Sequence, residues 1–225
     1  RGIPRGNHPA RSYTMKKLFL ATFLLSSAAF AEEIPMSAEF TAGYIPTQDV
    51  KLKTGAGSTT LGNDGYYFRA ALNSDKFKVF GSMQQVDGST CGASCIDHEV
   101  TETRGGLAFT VIDNGQIKLT PRIEYVTLEL SGSSTGGSLL STGNGVAVGA
   151  DATLAASSSV DLNGGMSYLK LEDSTGAEFM LGATFKTKMV NFVIDGRHVQ
   201  LDDSKSDLET TSNELKLGLH KAFSF

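Results

Sequence analysis

Residues 213–225 alternate apolar and polar side chains almost strictly, and this period of two most limits what the chain can fold into. Only a β-strand places every second residue on one face. The apolar face holds Leu215, Leu217, Leu219, Phe223 and Phe225. Lys221 is the one charge on that face, and the opposite face is polar or small. The pattern predicts a strand with one apolar surface.

Nine further segments alternate in the same way and bring the number of predicted strands to ten. They are residues 36–45, 65–73, 76–85, 101–112, 116–130, 144–155, 160–171, 177–186 and 189–199. Long and short connections alternate along the chain, and Asn114-Gly115 in one short connection is a strong hairpin signal. This spacing predicts an all-β fold, an antiparallel up-and-down β-barrel that crosses a membrane with ten strands. Eight strands are the alternative.

Charged residues gather on the face opposite the apolar one. A membrane barrel can hold charges in its lumen, whereas a soluble sandwich must keep its interior apolar. After residue 31 the chain has no run of 18 apolar residues, the length that a transmembrane helix needs. The predicted lumen charges are Glu39, Arg69, Lys78, Glu102, Arg104, Lys118, Arg122, Glu124, Asp151, Asp161, Glu178, Lys186, Asp195, Arg197 and Lys216.

The lumen charges have two interpretations. Both signs occur in nearly equal number, so the side chains can pair across a barrel whose interior is only wide enough for side chains. The favoured interpretation is a packed ion-pair network that closes the lumen. The alternative is a narrow, porin-like channel for small solutes.

The last strand resembles the closing strand of small Gram-negative outer-membrane β-barrel proteins, the porin-like and opacity-type surface barrels. In that family the terminal aromatic residue belongs to a signal that the barrel-assembly machinery reads, and here Leu219, Phe223 and Phe225 match it. The resemblance covers residues 32–225. It implies outer-membrane lipid, lipopolysaccharide and the assembly machinery as partners, and an extracellular ligand or host surface as a further one. It leaves the oligomeric state open.

The N-terminal residues predict export. Met15, Lys16 and Lys17 precede a short apolar run and the small residues of a cleavage site, so 15–31 are interpreted as a signal peptide and 32–225 as a single barrel domain. Residues 1–14 are interpreted as upstream read-through. Cleavage after Ala31 removes five basic side chains and no acid, so the net charge changes from −4 to −9. So acidic a chain is not expected to bind nucleic acid.

The cysteines are expected to form a disulfide. Cys91 and Cys95 are the only two in the chain, and a pair in an exported protein is normally oxidised. A metal site that adds Asp97 and His98 is a weaker alternative, because the spacing matches no closed zinc motif.

The search for catalytic residues is mostly negative, so the protein is expected not to be an enzyme and to need no cofactor or metal. A nucleophilic serine needs a histidine within reach. His198 has Gln200 as its same-face neighbour, not a serine. A rim protease drawn from His98, Asp97, Asp202 and Asp203 rests only on polar residues in predicted loops.

The predicted function is therefore that of a non-enzymatic outer-membrane barrel. Its long loops would present surface for adhesion, host contact or envelope integrity, and they are residues 46–64, 86–98, 131–143 and 200–211. The alternatives are the narrow channel and an envelope enzyme that acts on lipid A or peptides.

Overall fold

The computed structural model describes residues 36–225 except 56, 92–94, 135–136 and 206. These residues form ten long strands and one strand of two residues. The strands are β1 (Ser37–Thr54), β2 (Gly57–Asn73), β3 (Phe77–Cys91), β4 (Cys95–Phe109), β5 (Ile112–Asp113), β6 (Ile117–Ser134), β7 (Gly137–Ala155), β8 (Val160–Leu171), β9 (Ser174–Phe185), β10 (Asn191–Asp203) and β11 (Glu209–Ser224). The described part of the chain holds no helix that is long and apolar enough to cross a bilayer. The signal peptide and the upstream segment lie outside the described residues.

The ten long strands form a closed antiparallel barrel. Each pairs with the next along the chain, β4 pairs directly with β6, and β11 pairs with β1 from Ser37↔Ser224 to Lys53↔Glu209. The short strand β5 folds back on the base of β6. The predicted ten-stranded up-and-down barrel, closed by its last strand, is confirmed, and the alternative of eight strands is wrong.

Short turns connect the strands at the end of the barrel where β1 begins and β11 ends, called here the termini end. In the turn between β5 and β6, Gly115 has a φ of 81°, where a side chain would be strained. The Asn114 carboxamide oxygen accepts hydrogen bonds from the backbone N–H groups of Gln116 and Ile117. The Asn114-Gly115 turn therefore forms as predicted.

The opposite end, called the hairpin end, differs from prediction. Segments 46–64, 86–98, 131–143 and 200–211 were expected to be long loops, but their described residues continue the strands almost to the tip of each hairpin. In the first hairpin, β1 and β2 stay in register to Thr54↔Gly57. Pairing satisfies the backbone hydrogen bonds without needing an apolar face, so the ladder extends past the region where alternation is visible. Pro46, which has no N–H to donate, lies at a register shift in β1.

Apolar side chains cover the outside of the barrel. Phe109, Ile123, Val148, Phe179 and Leu181 expose 49–75% of their surface. Their neighbours along each strand point inward, where the buried polar residues lie. In water, so large an apolar exterior would be costly, whereas a lipid bilayer solvates it.

One tyrosine points into the barrel, although its neighbour in the chain lies on the exterior. Tyr44 and Tyr66 lie on the exterior near the hairpin end, with ring centroids 5.4 Å apart. Tyr67 follows Tyr66 and therefore points inward, over the side-chain-free surface of Gly43 and Gly218. Those two glycines face each other across β1 and β11. Tyr67 thus fills the space that the two glycines leave, as aromatic side chains do over glycine in other sheets.

Candidate functional site

The centre of the barrel interior is occupied by eight charged side chains, called here the interior charge cluster. Five strands contribute them: β4, β6, β9, β10 and β11. The members are Glu102, Arg104, Arg122, Glu124, Glu178, Arg197, Glu214 and Lys216. Period-two alternation explains why several share the inward face: Glu102 and Arg104, Arg122 and Glu124, and Glu214 and Lys216 are each two positions apart on one strand.

Glu178 is the centre of the cluster. Its side chain is fully buried. Arg104 donates to both carboxylate oxygens, at 3.1 and 2.6 Å, and Arg197 donates to one of them at 2.8 Å. Ser167 adds a hydroxyl donor at 3.2 Å, and Arg122 lies at 3.5 Å. A carboxylate with this many charge-assisted partners is compensated for its loss of water.

The other carboxylates link the same cations into one network. Glu102 accepts from Arg104 at 2.7 Å and from Arg197 at 2.9 Å. Glu124 pairs with Arg104 at 3.3 Å and with Arg122. Because each arginine serves two or more carboxylates, the cluster joins opposite walls of the barrel. Most of the cluster side chains are buried against one another at this level, as the interpretation of a packed ion-pair network expects.

A chain of hydrogen bonds through uncharged side chains runs from Glu214 of the cluster towards the hairpin end. Glu214 accepts from the amide nitrogen of Gln48 at 3.0 Å, and the oxygen of Gln48 accepts from Asn63 at 3.3 Å. The oxygen of Asn63 lies 2.5 Å from Nε2 of His98. A carboxylate can only accept, so the direction of each amide in this chain is set, and Nε2 of His98 is the donor at its end. Nδ1 of His98 is buried and has no hydrogen-bond partner in the described structure.

Lys216 connects this chain back to the cluster. Its ammonium donates to the amide oxygen of Gln84 at 2.7 Å and pairs with Glu214 at 2.6 Å, and Gln84 in turn donates to Glu214 at 3.0 Å. Glu214, Gln48, Asn63 and Gln84 were absent from the predicted lumen set. The parity of Glu214 with Lys216 could have included it, whereas Gln48, Asn63 and Gln84 are uncharged and gave no charge signal.

The remaining predicted lumen charges lie nearer the termini end, and most of them form isolated pairs instead of a network. Lys78 pairs with Glu39 at 2.7 Å, Lys186 with Asp161 at 2.6 Å, and Arg122 reaches Asp151 at 3.1 Å. The guanidinium of Arg69 lies 5.3 Å from the ring centre of Phe80, and Asp195 is the register partner of Lys216. Lys118 is half exposed, 3.8 Å from Asp113, and lies outside the packed interior.

The candidate catalytic residues do not converge. Asp97 and His98 are consecutive on β4, so the first is exposed and the second is buried on the opposite face. His198 lies on the exterior, and its Nδ1 is 2.8 Å from the side-chain oxygen of Asn213. Asp202 and Asp203 lie on β10, paired with residues of β9. The geometry therefore brings together neither the rim-protease set nor a metal set made from His98 and Asp97.

The cysteine prediction can be followed only through the backbone. Cys91 and Cys95 are register partners at the tip of the β3–β4 hairpin. Their sulfur atoms lie outside what the structure describes, so the disulfide stays a prediction.

The exposed turns at the hairpin end carry their own ion pair. Ser204 donates to the backbone oxygen of Asp173 at 2.7 Å through its N–H, and Lys205 pairs with the Asp173 carboxylate at 2.7 Å. The hydrogen bond from the ammonium to Asp173 raises the pKa of Lys205. The tip between β10 and β11 is thereby attached to the turn between β8 and β9.

No protein-family model and no curated protein matches the chain. Among solved structures, the attachment invasion locus protein Ail of Yersinia pestis shares 14% identity, with a TM-score of 0.44, over 82% of this chain and 98% of that chain. Neisserial surface protein A shares 13% identity, with a TM-score of 0.43, over 82% and 95%. The translocator domain of autotransporter NalP from Neisseria meningitidis shares 11% identity, with a TM-score of 0.47, over 91% and 96%. Likenesses of this size carry no argument about function.

Proposed function

We propose that the protein is a non-enzymatic barrel of the Gram-negative outer membrane, closed by its interior side chains, which presents β-hairpins at the cell surface for contact with partners. The observation that carries the proposal is the separation of the two surfaces of the wall. Large apolar side chains such as Leu181 and Phe179 face outward, while Glu178 and its arginines are buried inside. This is the reverse of a water-soluble barrel and suits a wall surrounded by lipid.

The termini end would face the periplasm and the hairpin end the outside. Export through the signal peptide at 15–31, with cleavage after Ala31, would deliver the chain to the assembly machinery, which would read Leu219, Phe223 and Phe225. Lys221 fits a position near the inner interface, because its ammonium contacts the backbone oxygen of Met189 in a termini-end turn and lies 6.0 Å from the ring centre of Phe223. Lipid and lipopolysaccharide would surround the apolar exterior.

Cell fractionation with a heat-modifiability gel tests the location. We expect the protein in the outer-membrane fraction, with an unheated form that migrates differently from the heated one. We expect mass measurement to show that the recovered protein begins at Glu32. Recovery in the soluble periplasmic fraction would contradict the proposal. Protease added to intact cells tests the orientation, since only hairpin-end cleavage agrees with it.

Planar-bilayer recording separates the closed barrel from the narrow channel. The closed barrel predicts no discrete conductance for the refolded wild-type protein. Replacing Glu102, Glu178 and Arg197 together by alanine removes the bonds that join opposite walls and is expected to produce openings, provided that the variant still shows the folded form on a gel. Reproducible openings of the wild-type protein would instead favour the channel.

Substitution of His198 by alanine tests the enzymatic alternative. The only side-chain bond described for its ring is to Asn213, a residue that cannot act as a nucleophile or a general base. Lipid A composition and peptide cleavage are expected to be unchanged in cells that express the variant.

A further inference from the structure

At the hairpin end of the barrel, β7 has a neighbouring strand on one side only in the described part of the chain. β7 pairs with β6 up to Gly137↔Ser134. On its other side, pairing with β8 ends at Gly145↔Leu171, because the β8–β9 hairpin turns back at that level. Among the described residues, no strand pairs with residues 137–143 on this side.

The backbone groups that point to the open side can be identified from their neighbour. The carbonyl oxygen of Asn144 accepts a hydrogen bond of 2.9 Å from the N–H of Glu172, so Asn144 directs its backbone groups away from β6. In an antiparallel strand, every second residue directs both its N–H and its C=O to the same side. Ser138, Leu140 and Thr142 therefore direct theirs to the open side.

The edge has none of the features that normally prevent pairing with another chain. Natural edge strands are protected by charged residues, prolines or bulges. Residues 137–144 read Gly-Ser-Leu-Leu-Ser-Thr-Gly-Asn, without a charge or a proline, and the register with β6 is continuous. On the matching edge of β2, Gly88 of β3 packs against Gly62 and Asn63, and residues 57–61 have no described partner strand on that side. Acidic residues beside the edge of β7 distinguish it from that of β2.

A group of acidic residues in 170–173 and 202–209, called here the acidic rim, lies beside the end of this edge at Asn144. The turn between β8 and β9 contacts β7, since the side chain of Asn144 donates to Glu172 at 3.3 Å. The tip of the β10–β11 hairpin contacts the same turn through Ser204 and Asp173. Residues 170–173 and 202–209 contain six acidic residues and two lysines. Asp173 is paired with Lys205, and Glu209 is paired with Lys53 of β1. The electrostatic field of this rim favours a cationic partner and disfavours an anionic one.

We propose that the open edge of β7 binds an extended, lysine- or arginine-rich peptide segment of a partner protein, which adds a strand beside Ser138, Leu140 and Thr142. Main-chain hydrogen bonds would provide the affinity, and the acidic rim would select the charge. A second copy of this chain is the less suitable occupant, because it would bring two acidic rims together.

The inference deepens the proposed surface-contact function and rests on it for its biological setting, but its test uses purified protein. The folded barrel in detergent micelles is titrated with a fluorescent seven-residue peptide of alternating lysine and valine. The comparison peptides are the glutamate counterpart and a version of the lysine peptide that is methylated on every amide nitrogen. We expect the lysine peptide to bind and the other two to bind at least about tenfold more weakly, which corresponds to about 1.4 kcal/mol.

Proline variants test the backbone directly. Thr142→Pro removes an N–H that points to the open side and leaves the bonds to β6, whereas Thr142→Ala changes the side chain alone. We expect about a tenfold loss of affinity for Thr142→Pro and no loss for Thr142→Ala. Glu172→Gln with Asp173→Asn should weaken binding and lessen its dependence on salt. The heat-modifiability gel verifies that each variant is folded.

Three outcomes would overturn the inference: no binding of the lysine peptide, equal binding of its methylated version, or unchanged affinity of folded Thr142→Pro. Equal binding of the methylated peptide would mean that charge alone recruits it. If the peptide binds as expected but the hairpins are protected from protease on intact cells, the proposed orientation fails and the strand-addition site stands.

Discussion

Arg104 donates to both carboxylate oxygens of Glu178, although the two residues lie 74 positions apart in the chain on strands that are not neighbours. The fork spans the lumen from β4 to β9. It joins opposite walls at a carboxylate that is fully buried. Loss of Glu178 would leave three arginines near one another without their shared counter-charge.

Glu178→Gln is therefore expected to destabilise the barrel strongly. Removing one partner of a buried ion pair costs about 3–5 kcal/mol, because the remaining charges stay desolvated. Urea unfolding of the protein in lipid vesicles measures the loss. Lys53→Ala is the matched control: its pair with Glu209 is exposed, and its loss should change stability by less than about 1 kcal/mol. Equal effects of the two substitutions would contradict the central role of Glu178.

Gly218→Ala is expected to destabilise the barrel by about 1–3 kcal/mol, since a methyl group there would overlap the hydroxyl of Tyr67. Tyr67→Phe removes that hydroxyl, which has no hydrogen-bond partner in the described structure, and should restore part of the loss in the double variant. Gly196→Ala is the control, because its added methyl group would lie 3.6 Å from the nearest atom, the backbone oxygen of Leu181. Unfolding free energies of the four variants test whether the effects of Gly218→Ala and Tyr67→Phe are coupled.

Leu181→Arg tests whether lipid surrounds the wall. Leu181 is 75% exposed, so in water an arginine there would be tolerated. In a bilayer, an arginine near the midplane of a barrel's lipid face costs about 2–4 kcal/mol. Ala177→Arg places the same charge on the same face of β9, four residues nearer the hairpin end, where the cost falls to about 0–1 kcal/mol. Equal stability of the two variants in lipid vesicles would argue against a lipid-facing wall.

The predicted disulfide between Cys91 and Cys95 can be tested without a structure of the sulfur atoms. The purified protein should resist alkylation until it is reduced, after which two sites should react. Closing a loop of this length stabilises a protein by about 2 kcal/mol in the chain-entropy treatment. The double variant Cys91→Ser with Cys95→Ser should therefore unfold at a lower urea concentration than the oxidised wild-type protein. Alkylation of both cysteines before reduction would contradict the prediction.

Period-two alternation predicted the barrel, favoured ten strands over eight, and assigned Arg104, Glu178 and Arg197 to the face opposite the apolar one. The reason is that a strand offers only two faces, so a residue's parity decides which solvent it meets. The same reasoning failed beyond the apolar region. The hairpin-end strands lack alternation because neither face there has to be apolar, and their pairing depends on the neighbouring strand. Segments with no visible period were therefore interpreted as loops.

Within the apolar region of the strands, the sequence by itself determined the face of most side chains, because a strand has only two faces and alternation shows which one is apolar. Only the tertiary structure decided which inward residues meet. The register of ten strands and the closure of β11 on β1 set the levels of Arg104 and Glu178, of Tyr67 and Gly218, and of His98 and Asn63. β7 also extends past the end of β8, and the resulting open edge depends on the lengths of both strands, which no single segment encodes.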